Sequence, residues 1–178
     1  NFRCSYCAVH MARGRSVSIN PIEVLSRINV LESAGYNEVV LTGIHLGSYG
    51  QDLEKRCSLS ELIRMVLDNS DIRRLRLSSL EISEVDEDLL KLMTSERICR
   101  HLHLPLQSGS DKILKLMKRG YTTSQFKDRI SMIYDRLGDI AIGSDVIVGF
   151  PGESESDYQM TYDLISSLPF SYLHIFPF

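Results

Sequence analysis

The sequence predicts an α/β protein built around a parallel sheet. From Asn20 onward, helical and strand patterns alternate at a spacing of about thirty residues. The chain accommodates five helix–strand units, beginning with a helix and ending with a strand. Alternation of this kind indicates parallel strands joined by helical crossovers.

The first unit begins with well-defined helix signals. Asn20 suits the N-cap, Pro21 suits the first helical position, and Gly35 suits the position after the helix end. We expect one buried helix face, made of Ile22, Leu25, Ile28 and Leu31. The short apolar run at residues 38–42 then predicts a buried strand.

The rest of the chain continues the alternation. A polar loop at residues 44–56 leads to a second helix, for which either Ser58 or Ser60 suits the N-cap. Further helices are predicted at residues 86–93, 110–118, 123–137 and 154–168. Further strands are predicted at residues 73–80, 100–106, 140–148 and 172–176.

Polar or glycine-rich turns follow four of the predicted strands. They are Thr42-Gly43, Ser78-Ser79, Gln107-Ser108-Gly109 and residues 149–152. Ligands of parallel α/β proteins bind at the carboxyl ends of the strands. We therefore expect the four turns to face one cavity.

The composition excludes several classes of protein. A chain of 178 residues with 43% apolar residues can build one domain with a core. No apolar run approaches the roughly 20 residues of a membrane span, so no membrane partner is expected. The net charge of −3 argues against a surface that coats nucleic acid, although Arg13 and Arg15 leave room for a local basic patch.

The cysteine pair in Cys4-Ser-Tyr-Cys7 is the main candidate for chemistry, and it favours a reducing compartment, the cytoplasm. Its spacing fits buried thiols without a role, a dithiol redox motif, a zinc site or an iron–sulfur cluster. The redox interpretation lacks a thioredoxin-like context. Zinc needs two more ligands, for which His10 and His45 are candidates outside any known zinc pattern. The pair alone leaves these alternatives open.

Several segments, in order along the whole chain, resemble the methylthiotransferases of the radical S-adenosylmethionine (SAM) superfamily. The similar segments are C-S-Y-C-x4-A-R-G-R, L-T-G-I-H-L-G-S-Y-G-Q-D-L, R-L-R-L-S-S-L-E, H-L-H-L-P-L-Q-S-G-S-D-K-I-L-K-L-M-K-R-G-Y-T and S-D-V-I-V-G-F-P-G-E. The second and fourth look most like the branch that modifies N6-threonylcarbamoyladenosine in tRNA. Two features depart from the family pattern: A-V-H-M follows the second cysteine, and Val17 stands where an arginine is common.

The resemblance implies a partial (β/α)6 radical SAM barrel, with residues 1–178 as the core domain and the first strand expected before Asn1. It implies a [4Fe–4S] cluster held by three cysteines spaced Cys-x3-Cys-x2-Cys. Cys4 and Cys7 would be two of these ligands, and the third is expected one position before Asn1. By itself the chain is expected to hold a cluster weakly and to be inactive. A second [4Fe–4S] cluster and an RNA-binding domain are implied on further segments.

The resemblance also implies which residues bind SAM. The expected set is Tyr6, Thr42, Gly43, Ser79, Glu81, Gln107, Asp145 and Val148. Thr42 and Gly43 are expected at the amino group of SAM, and Ser79 and Glu81 at its methionine or ribose. Residues 145–149 are expected beside its adenine.

The implied function is methylthiolation of a modified adenosine in the tRNA anticodon loop, through a 5′-deoxyadenosyl radical. Its partners would be tRNA and an electron donor such as flavodoxin or ferredoxin. One alternative is methylthiolation of a ribosomal protein side chain by a related radical SAM enzyme. The other is a non-enzymatic zinc- or nucleic-acid-binding α/β module.

Several polar residues are expected to have structural or solvent-exposed positions. His101 and His103 are expected to be hydrogen-bonded structural histidines, and Cys57 and Cys99 are expected to be inert. An exposed helix face is expected to carry Lys112, Lys115, Lys118 and Arg119.

Overall fold

The computed structural model describes residues 3–178, which divide into two compact units. The first unit is Arg15–His101. The second unit combines residues 3–14 with Leu102–Phe178. Among the described residues, no helix is both long and apolar enough to cross a membrane.

The predicted alternation of helices and strands is confirmed. The helices are α1 Val9–Arg13, α2 Pro21–Ser33, α3 Leu59–Asn69, α4 Glu87–Leu92, α5 Asp111–Leu116, α6 Thr123–Leu137 and α7 Glu155–Ser167. The strands are β1 Glu38–Leu41, β2 Arg74–Leu77, β3 His101–His103, β4 Ala141–Val148 and β5 Tyr172–Pro177. The short helix α1, which follows the cysteine pair, was not predicted.

The first unit contains the parallel pair β1–β2, in which Glu38 is opposite Arg74. Alternate residues of both strands are buried, as the pleat requires: Val39, Leu41, Leu75 and Leu77. On the other face, Glu38 accepts hydrogen bonds from Arg74 and Arg76, each at 2.7 Å. Helix α3 supplies four more buried residues to this unit: Leu59, Leu62, Ile63 and Val66.

The predicted buried face of α2 is confirmed for Ile28 and partly for Leu25, which is half-buried, but it is wrong for the other two residues. Ile28 is buried, but Ile22 is 73% exposed and Leu31 is 36% exposed. Helical spacing places these residues on one face, but it does not determine whether another element covers that face. Ile22 and Leu31 instead face solvent.

The second unit contains a sheet of order β3-β4-β5. Strands β4 and β5 are parallel, with Gly143 opposite Tyr172 and Val148 opposite Pro177. Helix α6 buries the four residues expected from its spacing, Phe126, Ile130, Ile133 and Leu137. Its N-cap Thr122 and Gln125 form a capping box, which explains why the helix begins at Thr123.

Strand β3 is shorter than predicted, because a bulge follows it. The Leu104 N–H donates to the Gly143 carbonyl, and the Gln107 N–H donates to the Asp145 carbonyl. Three residues of one strand therefore span two of the other. Across the bulge, the Ser144 hydroxyl donates to the Leu104 carbonyl at 2.8 Å and accepts from the Leu106 N–H at 3.0 Å.

Gln107 ends the bulge in the left-handed region, with φ +68°. Its carbonyl accepts from the Ile147 N–H at 2.9 Å, so both backbone groups of Gln107 bond to β4. The apolar alternation of residues 102–106 correctly predicted burial, but not the bulge. Strand β2 is also shorter than predicted: it ends at Leu77, and residues 78–80 follow it without regular structure.

Candidate cofactor site

The cysteine loop is held against the end of α5. The Ser5 N–H donates to the Met117 carbonyl at 3.1 Å, and the Ser5 hydroxyl donates to the Leu116 carbonyl at 2.8 Å. Within the loop, the Cys7 N–H donates to the Cys4 carbonyl at 3.1 Å. This tight turn fixes the two cysteines close together in space. Both are free thiols, with Cys4 buried and Cys7 half-buried.

Arg119 is half-buried beside this loop rather than on an exposed helix face, so the expected exposure was wrong for this one of the four residues. Its Nη1 lies 3.6 Å from the Cys4 Sγ and 3.4 Å from the Tyr6 hydroxyl. Its Nη2 donates to the Pro105 carbonyl at 3.4 Å. Helix α5 ends before Lys118, which has φ +58°, and the chain then reverses direction. That reversal directs Arg119 toward the loop, whereas Lys115 and Lys118 remain exposed.

Tyr6 packs on an apolar cluster formed by Ile113, Met117, Ile147 and Phe150. Burial raises the pKa of its phenol above the usual value. The contact anchors the aromatic side chain between the two cysteines. The loop is therefore held both by this side-chain contact and by its hydrogen bonds to the end of α5.

The cysteine loop lines a surface hollow of about 620 Å³. Its lining includes Cys4, Tyr6, Cys7, His10, Met11 and Lys118. Iron–sulfur clusters are held by soft thiolate ligands. Two thiols on one preformed loop, bordering one hollow, fit such a cluster.

Four of the expected SAM-binding residues lie in the first unit. Thr42, Gly43 and Ser79 are exposed, and Glu81 is half-buried. A Cβ added at Gly43 would meet no described neighbour closer than 3.8 Å. The described residues therefore leave room for a Cβ at this position. Close approach of a ligand there stays a prediction.

A histidine–carboxylate pair beside these residues was missed. His45, in the loop after β1, forms an ion pair with Glu84, in the turn after β2. Glu84 also accepts a hydrogen bond from the Glu81 backbone N–H at 3.0 Å. The pair links the two strand-end segments, and its partners are 39 residues apart in sequence.

The other expected SAM-binding residues lie in the second unit, where Gln107 is buried and Val148 is half-buried. The Asp145 carboxylate lies between His103 Nε2, at 2.9 Å, and His174 Nδ1, at 3.2 Å. His103 is thus hydrogen-bonded, as expected, while His174 was missed. Burial raises the pKa of Asp145, but the two histidine hydrogen bonds outweigh it and hold the pKa below its usual value.

The structure places Arg119 beside Cys4 and Tyr6, with Cys7 on the same loop, and it groups Asp145 with two histidines. It places Thr42, Gly43, Ser79 and Glu81 at the strand ends of the first unit. Binding of SAM by these residues, and a single cavity for all four turns, stay predictions.

The cysteine loop and the parallel helix–strand repeat define a class of protein: the chain belongs to the radical SAM superfamily, whose family description matches residues 1–165. Members of this superfamily use SAM and a [4Fe–4S] cluster, so both cofactors implied by the resemblance are confirmed for the family.

Particular relatives confirm the resemblance to methylthiotransferases. The chain is 43% identical, over 98% of its length, to threonylcarbamoyladenosine tRNA methylthiotransferase MtaB of Aquifex aeolicus. It is 41% identical to the MtaB protein of Bacillus subtilis, also over 98% of its length. It is 42% identical, over 97% of its length, to tRNA-2-methylthio-N(6)-dimethylallyladenosine synthase of Syntrophobacter fumaroxidans. The chain spans 42%, 39% and 38% of these relatives, respectively.

Solved structures show the same fold at low sequence identity. The radical SAM methyltransferase TsrM of Kitasatospora setae, with cobalamin and a [4Fe–4S] cluster bound, aligns with a TM-score of 0.79 at 18% identity. That alignment covers 99% of this chain and 32% of TsrM. Methylornithine synthase PylB aligns with a TM-score of 0.67 at 14% identity, covering 99% of this chain and 49% of PylB. The predicted α/β radical SAM fold is confirmed.

Proposed function

We propose that this chain is the radical SAM domain of an enzyme that methylthiolates N6-threonylcarbamoyladenosine in the tRNA anticodon loop. The observation that carries the proposal is the 43% identity, over 98% of the chain, to a relative named for this reaction. The preformed cysteine loop supports it, because this chemistry needs a thiolate-bound cluster. A tRNA substrate and a small electron-transfer protein as donor belong to the same proposal.

The chain's own residues hold and shape the cofactor site in this proposal. Cys4 and Cys7 provide two thiolates for the cluster, and Arg119 places a positive charge beside the Cys4 sulfur. Tyr6 holds the loop on the apolar cluster beneath it. The bound cluster and SAM supply the one-electron chemistry that breaks an unreactive C–H bond. A second cluster, outside this chain, is proposed as the source of sulfur.

Dimethylallyladenosine in tRNA is the second candidate substrate, because a relative named for that modification is 42% identical to this chain. The two candidates differ in the group on the adenine N6 atom, which is polar and anionic in one and apolar in the other. Methylthiolation of a ribosomal protein is the third candidate, and it would leave the tRNA nucleosides unchanged.

Deletion of the gene, followed by mass spectrometry of tRNA nucleosides, tests the proposal. We expect 2-methylthio-N6-threonylcarbamoyladenosine to disappear and N6-threonylcarbamoyladenosine to accumulate. Loss of the methylthiolated dimethylallyl nucleoside instead would transfer the proposal to the second substrate. Unchanged tRNA nucleosides would reject both.

Complementation with cysteine variants tests the proposed ligands. Cys4→Ala and Cys7→Ala should each fail to restore the modified nucleoside, and each should lose the part of the visible absorbance that this cluster contributes, while the absorbance of the second cluster stays. Cys57→Ala and Cys99→Ala are matched controls, since they also remove free thiols, and they should restore it. A cluster of normal iron content in Cys4→Ala would refute the assignment of that ligand.

A further inference from the structure

Two histidine side chains of the second unit converge on one carboxylate oxygen of Asp145. His103 of β3 brings its Nε2 to 2.9 Å from Asp145 Oδ1 on β4, and His174 of β5 brings its Nδ1 to 3.2 Å from the same oxygen. Asp145 and His174 are direct partners in the β4–β5 register. One atom from each of the three residues lies within 4.8 Å of the other two, and no other such trio occurs within residues 3–178.

The separations suit ligands around one metal ion. Bonds from zinc to imidazole nitrogen or carboxylate oxygen are about 2.0–2.2 Å long. Two such ligands at angles of roughly 90–110° are therefore about 3.0–3.5 Å apart. The distances from Asp145 Oδ1 to the two imidazole nitrogens, 2.9 Å and 3.2 Å, need little adjustment to admit an ion.

The trio also has the outer hydrogen bond that usually orients a metal-binding histidine. The Nδ1 of His103 lies 3.1 Å from the Tyr172 hydroxyl, which fixes the ring with its Nε2 toward Asp145. The rings of His103 and His174 stack with centroids 5.2 Å apart and an interplanar angle of 29°. These contacts place the ligand atoms without a metal ion, so binding requires little reorganisation.

One side of the trio is open to solvent. The His103 side chain is 9% exposed, the Asp145 side chain 21%, and the His174 side chain 55%. Three protein ligands on a half-open site leave coordination positions for water or another ligand, as in catalytic zinc sites and two-histidine, one-carboxylate iron sites. We propose that His103, Asp145 and His174 form a binding site for a divalent first-row metal ion, zinc or ferrous iron, separate from the cysteine loop.

The charge of the trio supports this site. A carboxylate is ionised at neutral pH, as a metal ligand must be. The pair His45–Glu84 provides a useful contrast, because it combines one imidazole and one carboxylate without belonging to such a trio.

Metal titration of the purified full-length protein tests the proposal. Cys4→Ser and Cys7→Ser form the background, so that these two thiolates do not compete for the ion. Zinc is titrated by calorimetry, and cobalt(II) absorption reports the ligand type. We expect one ion to bind this site, with a cobalt spectrum that lacks thiolate charge-transfer bands.

Variants in the same background then identify the ligands. His174→Ala, at a half-exposed position, should weaken zinc binding at least about tenfold, and Tyr172→Phe should weaken it by about tenfold through its effect on His103. Asp145→Asn keeps the side-chain volume and should also weaken binding. His45→Ala should leave the affinity unchanged.

The observed distances also fit direct hydrogen bonds between the three side chains. A metal-binding measurement therefore distinguishes a metal site from a hydrogen-bonded cluster. The proposal would be overturned if zinc and cobalt(II) bound only at cysteine thiolates or did not bind at all. Unchanged zinc affinity in both His174→Ala and Asp145→Asn would also overturn it. A thermal unfolding curve for each variant separates lost ligands from lost folding.

Discussion

At the scale of single residues, buried polar groups hold segments of the second unit together. Asp157 is 5% exposed and accepts hydrogen bonds from the Ser110 hydroxyl at 2.7 Å, the Lys112 ammonium at 2.6 Å and the Ser154 hydroxyl at 2.6 Å. Ser110 and Ser154 are also the N-caps of α5 and α7. One carboxylate therefore joins the starts of two helices.

Asp157→Asn should lower the unfolding temperature by several degrees at pH 7. An amide oxygen carries no net charge for Lys112, and the amide N–H groups face other donors. Asp163→Asn on the same helix is the control, because its exposed carboxylate bonds only to Gln159 among the partners described. A stability equal to that of the parent would contradict the role of Asp157.

The effect of Asp157→Asn should depend on pH. The hydrogen bonds from Lys112 and the two serines hold the pKa of Asp157 well below its usual value. As pH falls, the unfolded chain therefore takes up this proton first, which favours unfolding. The carboxylate's contribution should be complete above the unfolded-state pKa of about 3.9 and decline below it. Unfolding temperatures of parent and variant should thus converge as the pH falls below 4, in thermal scans from about pH 7 to pH 3.

Arg119→Gln should lower the free energy of unfolding by about 1–3 kcal/mol. The substitution removes the guanidinium that contacts Cys4, Tyr6 and the Pro105 carbonyl. Urea unfolding measures the loss. Lys115→Gln, which removes an exposed cation from the neighbouring helix, should change stability by less than about 0.5 kcal/mol. Equal effects for the two variants would show that the contacts of Arg119 contribute little.

At the scale of helices and strands, local sequence signals largely determined where the elements form. Caps and periodic apolar residues act over a few neighbours, so they are readable without the rest of the chain. Burial of α2 was misjudged, because it depends on elements remote in sequence. The bulge after β3 was missed for the same reason, since its hydroxyl partner Ser144 is 40 residues from Leu104.

Ser58→Ala should destabilise the protein by about 1 kcal/mol, whereas Ser60→Ala should have little effect. The sequence left both serines as candidate N-caps of α3. In the structure, the Ser58 hydroxyl accepts from the Glu61 N–H at 3.1 Å, and the Glu61 carboxylate accepts from the Ser58 N–H at 2.7 Å. Urea unfolding of the two variants distinguishes the sites, and the reverse order of effects would contradict this cap.

Gly109→Ala should destabilise the protein by about 1–3 kcal/mol, because it forces two backbone segments apart. An added Cβ would lie 2.5 Å from the Thr161 Cα and 2.7 Å from the Met160 carbonyl oxygen of α7. Gly120→Ala is the matched control, since no described atom lies within 4 Å of its added Cβ. Thermal unfolding compares the two, and a fully stable Gly109→Ala would show that α7 can shift at no cost.

At the scale of the whole molecule, the residues expected to bind SAM are distributed over both units. The family resemblance selected Cys4 and Cys7 as cluster ligands, because a short motif carries that signal, and their role as ligands stays a prediction. It did not reveal Arg119, His174 or Glu84. Their partners lie 115, 29 and 39 residues away, and no local pattern marks such pairs.

Hydrogen–deuterium exchange of the full-length, cluster-loaded protein tests the expected SAM-binding residues. SAM should slow amide exchange at residues 42–43 and 79–81 of the first unit. In the second unit it should slow exchange near residue 107 and at residues 145–148. Peptides that cover α2, which has an exposed face, serve as the control, and their amides should exchange equally with and without SAM. Protection confined to one unit would reject the expected residues of the other.

The bulge after β3 also determines which face of the sheet each following side chain lies on. Side chains alternate between the two faces of a sheet, so one extra residue exchanges the faces of every later position in that strand. Without the extra residue, Gln107 would present its side chain to the opposite face. The inserted residue, which the Ser144 hydroxyl stabilises, therefore moves every later side chain of this segment to the opposite face of the sheet. The bulge thereby determines on which face of the sheet the side chains of the turn Gln107-Ser108-Gly109 lie.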